Sequence, residues 1–120
     1  MRILLKPDEI QDLAIATAKQ IAQTFQSPPV FVGVLNGAVP FMMDILMAFP
    51  DAKCEYDFIG VSSYDGIEST GSCVLTKDLQ TDIEGREVVI VEDIVDTGRT
   101  ADFILNTLRH RNPKRIEIFS

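Results

Sequence analysis

Val88-Val89-Ile90-Val91-Glu92-Asp93-Ile94-Val95-Asp96-Thr97-Gly98-Arg99-Thr100 is a strand, an acidic pair, a polar loop and a helix start written in succession. Val88 to Val91 is a short continuous apolar run, the pattern of a strand buried on both faces of a parallel sheet. Thr100 is the predicted N-cap of a helix whose apolar face is Phe103, Ile104, Leu105 and Leu108. In open α/β sheets ligands sit outside the carboxyl ends of the strands. The loop from Asp96 to Thr100 offers backbone N–H groups, two hydroxyls and a glycine that permits close approach. It runs straight into a helix N-terminus, where the dipole and the free amides favour an anion. The loop is therefore expected to cradle a phosphate. Glu92 and Asp93 would repel a phosphate; they suit sugar hydroxyls, directly or through Mg²⁺ and its waters.

Downstream of this segment, Asn112-Pro113 ends the helix and Arg115 to Ser120 reads as a last strand. Upstream, Gly85 closes a turn and Cys73-Val74-Leu75 is a short strand, antiparallel or at an edge. Ser62 to Gly71 lacks an apolar period and reads as a loop, and Cys54 to Val61 as a strand. Pro40 to Phe49 is apolar almost all round, which predicts a well-buried helix. Val30 to Leu35 repeats the buried-strand pattern and Asn36-Gly37 punctuates it. The first element is a helix: Pro7, Asp8 and Glu9 suit its first turn, Ile10, Leu13, Ala14, Thr17, Ala18, Ile21, Ala22 and Phe25 follow at helical spacing, and Pro28-Pro29 stops it. Alternating strands and helices predict an α/β fold, a Rossmann-like, mostly parallel sheet flanked by helices, with right-handed crossovers.

The 120 residues fit one domain, expected to span 1–120. The 46% hydrophobic and 24% charged residues are those of a globular chain and exclude a disordered tail, a fibre or a membrane bundle. Eleven basic against eighteen acidic residues give a net charge of −7, which argues against nucleic-acid binding. A phosphate-bearing small ligand remains open, because the local field decides that. The two cysteines, Cys54 and Cys73, read as reduced thiols. The N-terminal apolar run is too short for secretion or a membrane anchor, so the cytoplasm is the expected compartment. The chain ends in or just after an apolar strand with no helix to cover it, an exposed edge of a kind that a complete domain avoids. The expectation is a C-terminally truncated chain.

An apolar strand ending in two acids is common and also imitates the acidic strand of P-loop NTPases. No G-x-x-x-x-G-K-[ST] precedes it, and no G-x-G-x-x-G follows a predicted strand. His110 has no partner at ligand spacing, and the cysteines have no C-x-x-C context. Met42, Met43 and Met47 read as core filler. Arg109, Arg111, Lys114 and Arg115 form a basic cluster that a helix C-terminus explains. Lys77-Asp78 is either a supporting pair beside the site or an interface pair.

The whole string from Val88 to Thr100 resembles the phosphoribosyl pyrophosphate (PRPP) signature of type I phosphoribosyltransferases, most closely the hypoxanthine-guanine branch. Gly33-Val34-Leu35-Asn36-Gly37-Ala38-Val39-Pro40-Phe41 is similar to the family's pyrophosphate loop, although many members carry Lys or Arg where Asn36 stands. Asp57-Phe58-Ile59 with Ser63-Tyr64 and Ser69-Thr70-Gly71 resembles the strand and mobile loop that close the family's active site, here about residues 62–72.

The resemblance implies transfer of phosphoribosyl from PRPP to hypoxanthine or guanine, with Mg²⁺ as cofactor, in a cytoplasmic homodimer or homotetramer that engages neither nucleic acid nor membrane. It implies Asp96 as general base, Glu92 and Asp93 on the ribose hydroxyls and Mg²⁺, and Asp96, Thr97, Gly98, Arg99 and Thr100 around the 5′-phosphate. Leu35, Asn36 and Gly37 would hold pyrophosphate, and Ser63 and Tyr64 would close over the reacting sugar. Family members continue past Ser120 into a part that recognises the purine. Two other readings stay open: a non-catalytic remnant that binds PRPP or a nucleotide, and a pyrimidine-operon RNA-binding regulator of the same fold. Asp96, where that regulator carries Tyr, and the charge of −7 count against the regulator.

Overall fold

A computed structural model describes residues 7–25, 28–35, 37–49, 54–63, 73–92 and 99–119. In chain order the elements are α1 (Pro7–Thr24), β1 (Val30–Leu35), α2 (Val39–Ala48), β2 (Glu55–Ser63), β3 (Cys73–Lys77), β4 (Glu87–Val91), α3 (Arg99–Arg109) and β5 (Arg115–Phe119). The strands form one five-stranded sheet in the order β3-β2-β1-β4-β5. β1 pairs in parallel with β2 and β4, and β4 with β5, whereas the edge strand β3 runs antiparallel to β2. The α/β architecture and the antiparallel edge are those expected from the pattern.

Successive side chains of a strand point to opposite faces, so each apolar run feeds two cores. Phe31, Val89 and Val91 face α1 and α2, where Ala14, Ala18, Ile21, Phe25, Met42 and Ile45 complete one cluster. Val30, Val32, Val34, Val88 and Ile90 face the other way, against Ile104 and Leu108 of α3 and Ile83 of the β3–β4 connection. Each fully buried aliphatic side chain contributes ~1.5–3 kcal/mol. Gly33 lets α2 lie close on β1: a Cβ there would stand 2.5 Å from Met42 Sδ and 3.2 Å from Phe58 Cδ1.

Several expectations need correction. α2 is apolar apart from Asp44 but fully buries only one stripe, through Met42 and Ile45; Met43 is 39% and Met47 84% exposed, so neither fills a core. The helix packs on β1 and α1 with one side, and nothing among the described residues covers the other. β2 runs on through Ser62 and Ser63, because main-chain pairing with Val74 and Cys73 holds polar residues as well as apolar ones. α3 opens at Arg99, which places Thr100 inside the first turn instead of at the cap.

The basic cluster has individual duties. Arg115 lies over the Phe25 ring at 4.8 Å and donates from Nη1 to the Thr24 carbonyl at 3.1 Å. It thus supplies at the end of α1 the cation that α1's own last turn lacks. Arg111 pairs with Asp78 at 2.8 Å. Gly85 adopts φ 72° and Asn112 φ 58°, left-handed conformations that Gly and Asn tolerate best. The Gly85 N–H donates to the Asn112 carbonyl at 2.9 Å and joins the two turns.

Candidate functional site

The chain leaves β1 through α2 toward β2, and leaves β4 through α3 toward β5. β1 and β4 are neighbours, with Gly33 level with Val91. The connections therefore part in opposite directions at the carboxyl ends of these two strands, which is where open α/β sheets place their ligands. Leu35 ends β1 half-buried, and the exposed Gly37 lies in the turn beyond it. The Ala38 N–H donates back to the Val34 carbonyl at 3.3 Å, which keeps the turn short. Ala38 brings no side-chain cap to α2.

Glu92 stands across the crevice, one residue past β4. It is only 7% exposed, and its N–H donates to the Phe119 carbonyl at 3.0 Å, so its main chain is held by the neighbouring strand. Arg99 and Thr100 form the opening turn of α3, whose N-terminus comes back to the same edge of the sheet. Ser63 is the last residue of β2, at that edge too. Asn36, Tyr64, Asp93, Asp96, Thr97 and Gly98 lie outside the described residues. The structure thus brings Leu35, Gly37, Ser63, Glu92, Arg99 and Thr100 to one edge. Among the described residues no group of three or more His, Cys, Asp or Glu side chains could hold a metal ion. Glu92 is an oxygen donor of the kind Mg²⁺ takes, and Asp93 next to it is a second.

A second polar assembly lies on the α3 side of the sheet, on β2 and β3, and centres on Asp57, the first residue of the Asp57-Phe58-Ile59 motif. Asp57, 9% exposed, accepts the Phe58 N–H at 2.7 Å on Oδ1 and the Gln80 and Thr81 N–H groups at 2.8 and 2.9 Å on Oδ2. Lys77 Nζ lies 3.6 Å from Asp57 Oδ1 and donates to the carbonyls of Phe58 at 3.0 Å and Asp78 at 3.1 Å. Burial pushes the Asp57 carboxyl up, but the main-chain donors of Phe58, Thr81 and Gln80 and the Thr81 hydroxyl outweigh it and hold the carboxyl below its ordinary value. Asp78 is likewise held down, chiefly by its hydrogen bonds from Arg111, against a smaller push from burial and with help from the Leu79 N–H and the charges of Arg111 and Lys77. Lys77-Asp78 is thus a pair that supports the β3–β4 connection. The signal for Asp57 was present: a lone acid in the run Tyr56-Asp57-Phe58-Ile59.

A crevice between β1 and β4, with an acid on one side and a helix N-terminus beyond it, is common to many α/β folds. The family model described as phosphoribosyl transferase domain matches residues 4–120. The chain belongs to the phosphoribosyl transferase domain family. This phosphoribosyl transferase domain is 42% identical to the hypoxanthine-guanine-xanthine phosphoribosyltransferase of Tritrichomonas foetus over 118 residues, which are 98% of this chain and 64% of that one. It is 37% identical to the hypoxanthine-guanine phosphoribosyltransferase of Bacillus subtilis over 119 residues, 98% of this chain and 66% of that one. The crystal structure of a hypoxanthine phosphoribosyltransferase from Staphylococcus aureus superposes with a TM-score of 0.86 at 37% identity, covering 98% of this chain and 64% of that one. The domain therefore spans about two-thirds of the length of these relatives.

Proposed function

We propose that the protein is a purine phosphoribosyltransferase of the salvage type, which joins the phosphoribosyl group of PRPP to hypoxanthine or guanine. The observation that carries this reading is the buried Glu92 at the β1–β4 crevice, directly ahead of the loop that feeds α3. The names and coverage of the relatives at 42% and 37% identity support the choice of purine.

In the reaction the bond from the anomeric carbon to pyrophosphate breaks, and a bond from that carbon to a purine ring nitrogen forms. Positive charge grows on the ribose and negative charge on the leaving group. The amides and hydroxyls of Thr97, Gly98, Arg99 and Thr100 hold the 5′-phosphate at the α3 N-terminus. Glu92 and Asp93 accept from the ribose hydroxyls, orient the ring and stand near its developing charge. Leu35, Asn36 and Gly37 meet the pyrophosphate with main-chain groups. Asp96 takes the proton that the attacking purine nitrogen sheds. Ser63 and Tyr64 exclude water, which would otherwise capture the sugar. Glu92 and Asp93 would hold Mg²⁺, which would supply charge neutralisation for the pyrophosphate. The same reading expects a homodimer or homotetramer in the cytoplasm.

The test is a titration with PRPP and Mg²⁺ followed by an assay for nucleotide formed from hypoxanthine or guanine. Saturable binding with turnover is the expected result. Binding with no nucleotide formed would replace the enzyme reading with a PRPP-binding protein. In an active preparation Asp96→Asn should remove turnover and leave PRPP affinity within about twofold, because the base is needed only as the proton leaves. An equal loss of affinity would contradict the role given to Asp96.

A further inference from the structure

Asp57 is a buried carboxylate with no part in the reaction above, and its shortest contacts are main-chain N–H groups from two pieces of chain, with Lys77 Nζ 3.6 Å away. On one side it sits within β2, level with Val32 of β1. On the other, its Oδ2 gathers the consecutive N–H groups of Gln80 and Thr81 at 2.8 and 2.9 Å. The connection so gripped, residues 78–86, continues to Ile83, which is fully buried in the cluster that contains Ile104 and Leu108 of α3. It is also attached to the far end of α3. Arg111, two residues past the helix, makes a two-pronged contact with the Asp78 carboxylate at 2.8 and 2.9 Å. Gly85 N–H donates to the Asn112 carbonyl at 2.9 Å, and Lys114 N–H to the Arg86 carbonyl at 2.8 Å. Lys77 closes the chain of contacts by bridging the carbonyls of Phe58 and Asp78.

Apolar packing alone holds a helix down on a sheet but resists sliding along its own axis weakly. Hydrogen bonds to main-chain groups at both ends of a connection do resist sliding, because their geometry fails within a fraction of an ångström. α3 is a single rod of 11 residues, so its axial position at Arg109 is also its position at Arg99. We propose that Asp57 is a positioning residue for the phosphate end of the ligand. It fixes the 78–86 connection to β2, the connection holds the C-terminal end of α3, and the α3 N-terminus is thereby set at the height where it meets the 5′-phosphate. This rests on the functional reading given above, in which that N-terminus is the phosphate site. Asp57 itself touches no ligand.

The test uses the full chain and two probes that report on different parts of the crevice. Ribose 5-phosphate reads the α3 end, and pyrophosphate with Mg²⁺ reads the β1–α2 turn. Asp57→Asn should weaken ribose 5-phosphate by about tenfold, the size of one lost charge-assisted hydrogen bond, and leave pyrophosphate within about twofold. Arg111→Met, at a half-exposed site, should shift ribose 5-phosphate in the same direction by about two- to threefold. If Asp57→Asn does not fold, the Arg111→Met measurement carries the test alone. Unchanged affinity for both probes would overturn the proposal, and so would equal weakening of both, the mark of a merely destabilised fold. A wild-type chain that binds neither probe would overturn the functional reading itself.

Discussion

The two ends of the sheet treat charge in opposite ways. Near the end where β2, β4 and β5 begin, Arg86 pairs with Glu55 and Arg115 with Glu117; Arg111 pairs with Asp78 on the β3–β4 connection, and Lys77 lies beside Asp57 farther along β2. At the end where the parallel strands finish stand Glu92, the turn through Gly37 and the opening of α3. The first end consumes its charges in holding connections to strands. On the function proposed above, the second offers an acid and a helix N-terminus to a ligand that carries both hydroxyls and phosphate. On that reading charge serves stability at one edge of this sheet and recognition at the other.

Substitutions at each end test that division. Glu92→Gln should weaken PRPP–Mg²⁺ by about tenfold or more, the size of a lost hydrogen bond to a charged group, while the thermal midpoint moves little. Calorimetric titration beside a thermal melt checks it, and a large drop in midpoint with intact affinity would place Glu92 on the stability side. Gly33→Ala forces Met42, fully buried, out of its place beside β1, at a cost of about 1–3 kcal/mol in urea unfolding. Pairing it with Met42→Val should recover part of that loss.

Acid should act on the contacts of Asp57 and Asp78. The Asp57 carboxyl titrates lower in the folded chain than in the unfolded one, so its contribution to stability is fully present above the ordinary value of 3.8 and is lost as the pH falls through the folded value. Asp78 adds a contribution of the same sign. Unfolding curves taken from neutral pH down to about pH 3 should show Asp57→Asn with a flatter acid limb than wild type. The smallest effect belongs to Arg86→Ala, whose pair with Glu55 is exposed: about 0.2–1 kcal/mol, shrinking further in high salt.

The sequence made the crevice legible because its parts are local. A buried run, two acids and a helix start within Val88 to Thr100 specify a strand end and a helix opening, and the expectation of an anion site between them, without knowledge of the rest of the chain. The same holds for β1 with its Asn36-Gly37 turn. Matters that depend on which surface meets which were harder to read. α2 is apolar apart from Asp44, and composition cannot say that only the side bearing Met42 and Ile45 is fully buried. Ser62 and Ser63 carry no strand signal of their own and are drafted into β2 by Val74 and Cys73 across from them. In the sequence Asp57 reads only as the start of the Asp57-Phe58-Ile59 motif, and its structural duty is not legible there, because the amides that donate to it, of Gln80 and Thr81, lie more than twenty residues away.

The hydrogen bond from the Glu92 amide to the Phe119 carbonyl extends the β4–β5 ladder one residue past the end of β4. The main chain of the first acid of the site therefore belongs to the sheet, and its freedom is surrendered when the protein folds. A ligand that reaches Glu92 has no backbone entropy left to remove there.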